Sequence, residues 1–232
     1  RLSRGSMTRT IQALRICQQK LRKHHVKRMR LVATEACRRA LNAEDFIKRV
    51  HRETGLRLDI IAPKEEARLA AISCAPLVNK KTENLLVVDI GGGSTELVWI
   101  DMSQVPKRDR PHSIMQLETG FARSNKSIPS ARVVDWISVP LGVATLRDQF
   151  IAVVDDGARF ALMSCFFEES LSDFAPYHDE KARDRFQIVG TSGTVTTVAA
   201  SHLNLKRYDR TKVDGLRMSS TQIDTVIQSY LD

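Results

Sequence analysis

VVDIGGGSTELVWI, residues 87–100, decides the fold. An apolar run that starts at Leu85 reads as a buried central strand and carries Asp89 into a turn of three glycines. Gly91, Gly92 and Gly93 let the backbone come close to a ligand, Ser94 and Thr95 add hydroxyls, and a second strand begins at Glu96. The stretch is no P-loop, because no Lys follows the glycines. It is no dinucleotide fingerprint either, because a strand follows the turn and Glu96 stands where the third Gly would be. What remains is a strand-turn-strand cradle for phosphate. The competing reading is a tight hairpin with glycines at positive φ and Asp89 bonding only to the turn.

Downstream, residues 186–189 read as a strand entering Gly190, Thr191, Ser192 and Gly193, and a helix over 194–202 follows. Its free N–H groups favour an anion. Two such turns in one chain point to a phosphate chain held between them. Upstream, helical spacing puts Ile11, Leu14, Cys17, Gln18 and Leu21 on one stripe of a helix over 7–24. A short strand is expected over 29–33 and another over 56–62, with a helix between them capped by Asn42 and stopped by Gly55. Pro63 opens a further helix with Leu69, Ile72 and Ala75 on its inner side. The polar residues 79–84 mark a boundary between a domain over 1–78 and one over 79–232. Strands are also expected over 114–118 and 136–139, and helices over 141–150, around 154–166, and over 221–231 with a Ser219/Gln222 capping box. Alternating strands and helices make the chain α/β.

The 232 residues are 42% hydrophobic and 27% charged, which excludes disorder and collagen. The least polar stretch, 69–78, holds Ser73 and Pro76 and is too short to span a bilayer. No signal-peptide core is present, so a cytoplasmic address is expected. The four cysteines form no CxxC pair, and no histidine spacing suggests a metal site. A formal charge of +9 favours anionic partners. The basic run 22–30 lacks interleaved aromatics, so it reads as a solvated face, and sequence-specific nucleic-acid binding is not expected.

Phosphoanhydride hydrolysis needs a positioned water, a carboxylate to orient or deprotonate it, and cations. Glu65 and Glu66 open the helix after Pro63, where either could serve as the base or simply complement the helix dipole. Arg38 follows a strand, at the end where α/β sites collect.

On VATEACRRALNAEDF (32–46), IAPKEEARL (61–69), VVDIGGGSTELV (87–98), ISVPLGVATL (137–146) and VGTSGTVTTVAA (189–200), in that order, the chain resembles the exopolyphosphatase and guanosine pentaphosphate phosphohydrolase (Ppx/GppA) family. The resemblance implies two ribonuclease-H-like domains of the actin, sugar-kinase and heat-shock-chaperone ATPase superfamily. It also implies Mg²⁺-dependent release of terminal orthophosphate from polyphosphate, or conversion of guanosine pentaphosphate to tetraphosphate. Glu66 matches the water-activating carboxylate; the choice of Glu66 over Glu65 comes from the resemblance. Asp89 and Glu96 match the acids that help hold Mg²⁺, Gly91, Gly92, Gly93, Ser94 and Thr95 the phosphate loop, and Arg38 a phosphate-contacting arginine. Gly190, Thr191, Ser192 and Gly193 match the second glycine turn. Homodimers are common in the family. The family's leading DxGSNS motif occurs nowhere in the 232 residues, so the first domain is expected to lack its N-terminal strands here and the sequence to be an incomplete record of a longer chain. The alternative reading is a polyphosphate- or nucleotide-binding sensor without catalysis.

Overall fold

A computed structural model describes residues 1–121, 129–174 and 185–231 of the chain. They pack as two compact units, Arg1–Pro63 and Lys64–Asp232.

In the first unit, helix α1 (Arg4–Lys23) starts on Ser3, whose hydroxyl accepts from the Ser6 N–H. It buries Met7 and Ile11 and half-buries Leu14 and Leu21. Cys17, expected on that stripe, is exposed. The basic run 22–30 is exposed throughout. Strand β1 (Leu31–Ala33) leads through helices α2 (Glu35–Arg38) and α3 (Ala43–Thr54) to strand β2 (Leu58–Ile60), which pairs parallel to β1. This is the crossover that parallel pairing requires. Ala43, Phe46 and Val50 give α3 its buried stripe, and Gly55 ends it at φ 71°, a left-handed turn that a side chain would strain. Asn42 precedes α3 without capping it. Its side chain instead accepts from the Leu2 N–H at 2.8 Å and donates to the Leu2 carbonyl at 3.0 Å, tying down the chain ahead of α1.

The second unit is built on a sheet of four strands in the order β5-β4-β3-β6. Strands β3 (Asn84–Ile90) and β4 (Thr95–Asp101) form the antiparallel pair around the glycine turn. Strand β5 (Arg132–Val139) runs antiparallel to β4, and β6 (Phe186–Thr191) parallel to β3. Leu85, Val87, Val98 and Ile100 point to one face and pack on helix α4 (Pro63–Ser73). Leu97 and Trp99 point to the other, against Phe174. The inner side of α4 is its alanine side, Ala67, Ala70 and Ala71 at 3- and 4-residue spacing, whereas Leu69 and Ile72 are half-buried flanks. Small residues let the helix lie close to the sheet. Because Ala67, Ala71 and Cys74 join the core of the sheet, the two units divide at the start of α4, ahead of residue 78.

Residues 114–118 are not a strand. Helix α5 (Arg110–Met115) has Pro111 in its first turn, and Ile114 and Leu117, three residues apart, both turn into the core. Arg110 is 3% exposed. It is held by the Val105 and Thr82 carbonyls at 3.1 and 3.0 Å and by Glu83 at 3.1 Å. The remaining helices are α6 (Val143–Gln149), α7 (Asp156–Ser170), α8 (Ser192–His202), α9 (Arg210–Val213) and α10 (Ser220–Leu231). The Ser219/Gln222 capping box opens α10, with bonds of 2.8 and 3.2 Å. Most of the basic stretch 123–132 lies outside the described residues. Among the described residues no helix is long and apolar enough to cross a membrane.

Candidate active site

Strand register builds the site. Ser138 on β5 lies opposite Glu96 on β4, Glu96 opposite Asp89 on β3, and Asp89 opposite Thr191 on β6. Four polar residues, one from each strand, therefore share one row and one face. Two residues further from the turn the same face reads Trp136, Val98, Val87 and Val189, which is core. A sheet whose inner face changes from apolar to carboxylate at its last row places charge at the end of the core, beside the glycine turn.

Both acids are withdrawn from solvent, Glu96 fully and Asp89 in part. Glu96 is 1% exposed, and Asp89 Oδ1 is buried with no hydrogen-bond partner among the described residues. Burial raises the Asp89 carboxyl above the usual aspartate range; the Ser192 hydroxyl pulls it back and the charge of Glu66 pushes it further up. Burial likewise raises Glu96, against hydrogen bonds from Ser94 and Ser138 and with repulsion from Glu66 and Asp89. Glu66, in the first turn of α4, thus lies close enough to bear on both acids. Glu65 has a different task. Arg68, one turn on, grips it with two bonds of 2.7 and 2.8 Å and donates a third to the Leu117 carbonyl at 2.9 Å. That i,i+3 pair was present in the sequence as the signal that separates the two glutamates.

Since burial lifts Asp89 above its unfolded value, the native state binds its proton more tightly. The stability this group contributes is present at low pH and lost as pH rises from 3.8 through the raised native value. Asp89→Asn removes that loss. Without divalent cations, its melting temperature relative to wild type should grow as pH rises from below 3.8 toward 7. Solvent screening at this half-buried group keeps the gain small. Melting curves at several pH values check it, and a difference that does not change with pH would mean that Asp89 carries no such burden.

Gly91 and Gly92 do not adopt positive φ. Their role is close approach. Helix α6 docks its first turn on the glycine turn: the Val143 and Ala144 N–H groups donate to the Gly91 and Gly92 carbonyls at 3.1 and 3.0 Å. A Cβ on Gly142 would overlap Gly91 O, Gly92 C and Gly93 N, all backbone atoms. With the carbonyls engaged, the Gly92 and Gly93 N–H groups have no acceptor among the described residues. Ser94 and Thr95 are buried. Ser94 bonds to Glu96, and the Thr95 hydroxyl donates to the Leu141 carbonyl at 2.7 Å, so both hydroxyls hold the turn's shape. Gly142 and Ser138 were missed from the sequence, because their parts depend on strand register and on which helix docks where.

At the second turn, Gly190 lacks the Cβ that would meet Val195, which lets α8 lie close to β6. Ser192 sits at φ 77°, a left-handed conformation unusual for a side-chain-bearing residue, and its hydroxyl bonds to Asp89. Thr191 precedes α8 with no side-chain cap, and Gly193 is exposed in the first turn. Arg38 belongs to the first unit, beyond the end of β1. It is fixed there by Glu35 at 2.9 Å and by the Ile61 carbonyl at 2.9 Å. Burial lifts the Cys74 thiol to about 11, which makes it a packing group and no nucleophile.

Among the described residues no three His, Cys, Asp or Glu side chains form a metal cage. The site nevertheless fits Mg²⁺, which keeps several waters and takes one or two carboxylates together with substrate phosphates. The unpartnered Asp89 oxygen beside buried Glu96 offers that donor set.

At 31% identity the chain aligns over its full length with the PPX-GPPA enzyme of Aquifex aeolicus, covering 66% of that chain at a TM-score of 0.68. An exopolyphosphatase-like protein matches at 30% identity and a TM-score of 0.76, over 100% of this chain and 65% of its own. An exopolyphosphatase from Cytophaga hutchinsonii shares the fold at 22% identity and a TM-score of 0.67, over 91% of this chain and 59% of that one. The chain thus spans slightly under two thirds of the length of these structures. Residues 1–229 match the Ppx/GppA phosphatase family, the α/β fold agrees with its solved members, and the chain belongs to that family.

Proposed function

We propose that this chain carries the phosphate-binding and catalytic residues of a phosphoanhydride hydrolase that releases terminal orthophosphate from inorganic polyphosphate or from guanosine pentaphosphate. The observation that carries this reading is the gathering of Glu66, Asp89 and Glu96 beside a glycine turn whose Gly92 and Gly93 N–H groups are open to an anion. Two ribonuclease-H-like domains are part of the same proposal.

The Gly92 and Gly93 amides hold the terminal phosphate oxygens, and the second turn, with Thr191, Ser192 and the N-terminus of α8, holds a neighbouring phosphate. Arg38, in the first unit, is a further phosphate-contacting residue of this proposal. Glu66 orients a water toward the terminal phosphorus and takes its proton. As the new P–O bond forms, the bond to the bridging oxygen breaks and orthophosphate leaves, the remaining chain keeping the bridging oxygen. Asp89 and Glu96 would hold Mg²⁺, which offsets charge on the phosphoryl oxygens. Three carboxylates facing a polyanion would otherwise repel it, and the open amides oppose that repulsion.

The test is orthophosphate release from long-chain polyphosphate and from guanosine pentaphosphate, each with Mg²⁺ and with chelator. Release that needs Mg²⁺ is expected. Tight binding of either substrate without release would overturn hydrolysis and leave a binding protein.

A further inference from the structure

The segment that follows the middle of β5 runs alongside the glycine turn and grips it at successive residues. Ser138 donates to Glu96 Oε1 at 2.9 Å, the Leu141 carbonyl accepts from Thr95 at 2.7 Å, and Val143, Ala144 and Thr145 bond to the carbonyls of Gly91, Gly92 and Gly93. Most of these bonds reach backbone and serve shape. Ser138 alone in the segment bonds to a carboxylate oxygen of the polar row.

We propose that Ser138 is a positioning residue: its hydroxyl, acting with that of Ser94, holds the rotamer of Glu96 so that the carboxylate faces a divalent cation shared with Asp89. The inference rests on the reading of Asp89 and Glu96 as cation-holding acids. Three observations support it. Ser138 and Glu96 are direct cross-strand partners, so backbone pairing sets the distance between them. Glu96 is 1% exposed, so no bulk water substitutes for the hydroxyl. Asp89 Oδ1, on the opposite side of Glu96 in the same row, has no partner among the described residues, which marks the side where a cation would sit. A group that orients a ligand from behind typically changes metal affinity by about 10–100-fold when removed.

The experiment titrates Mn²⁺, as a spectroscopically visible stand-in for Mg²⁺, into the intact chain by electron paramagnetic resonance and calorimetry, with no substrate present. Ser138→Ala is expected to weaken Mn²⁺ binding about 10-fold, and Ser138→Thr, which keeps the hydroxyl, to stay within about 3-fold of wild type. Ser138→Cys, close in size with a poor donor, guards against a variant that fails to fold; it should melt near the wild-type temperature and bind Mn²⁺ like the alanine variant. Equal affinity in Ser138→Ala or Ser138→Cys and wild type overturns the proposal, as does a threonine variant as weak as alanine, since packing would then explain the loss. Wild-type protein that binds no Mn²⁺ overturns it as well. The readout is separate from turnover: normal Mn²⁺ binding with no phosphate release would remove the hydrolase reading and leave the role of Ser138 standing.

Discussion

Glu66→Gln should lower the rate of orthophosphate release by about 10²–10⁴-fold, the range that a positioned general base contributes, while leaving the Michaelis constant for polyphosphate unchanged or lower. Glutamine keeps the size and one acceptor oxygen of glutamate, so a water can still be placed, but it cannot take the proton. Its neutrality also removes one negative charge from the vicinity of Asp89 and Glu96, both of which Glu66 pushes up. Substrate repulsion therefore eases, and binding does not suffer. The adjacent acid is the control. Glu65 is clamped by two bonds from Arg68, and that pair is only 13–14% exposed. Glu65→Gln breaks a largely buried ion pair, so it should lower the melting temperature and leave the rate constant of the folded fraction near wild type. Initial rates over a range of substrate concentrations, paired with melting curves, separate the two effects. Equal turnover in Glu66→Gln and wild type would take Glu66 out of the chemistry.

What the sequence made legible follows from how local each signal is. The buried run into Asp89, the turn and the strand from Glu96 form one continuous pattern, and the structure has the antiparallel pair they imply. Gly55 and the Ser219/Gln222 box mark their helix ends through backbone chemistry that needs no distant partner. Signals that need a partner were harder to read. Ile114 and Leu117 fit a short strand as readily as one helical turn, and only Pro111 ahead of them and the core beneath them decide for helix. Asn42 looks like a cap until Leu2 claims its side chain. The same division runs through the site. Asp89 and Glu96 were legible because they flank a glycine turn, whereas Ser138 and Gly142 act on that turn from more than 40 residues away.

Gly142→Ala should be the most damaging of the small substitutions in the second unit. The added methyl would overlap the Gly91 carbonyl oxygen, the Gly92 carbonyl carbon and the Gly93 nitrogen. None of these is the end of a flexible side chain that could swing away. Relief requires α6 to lift from the turn, which breaks the Val143 and Ala144 bonds to the Gly91 and Gly92 carbonyls and the Thr145 contact with Gly93. Overpacking against backbone costs about 3 kcal/mol or more, a fall of about 6–12 °C in melting temperature for a chain of this length. The same movement frees the turn's carbonyls to rotate toward the phosphate site, where they would repel an anion, so phosphate affinity should fall in whatever fraction stays folded. Gly193→Ala is the matched comparison, because a Cβ there meets nothing within 4 Å and the residue is exposed. It should melt within about 2 °C of wild type. If Gly142→Ala melts with it, α6 is not held against the turn in solution, and the open amides of Gly92 and Gly93 lose the contact that orients them.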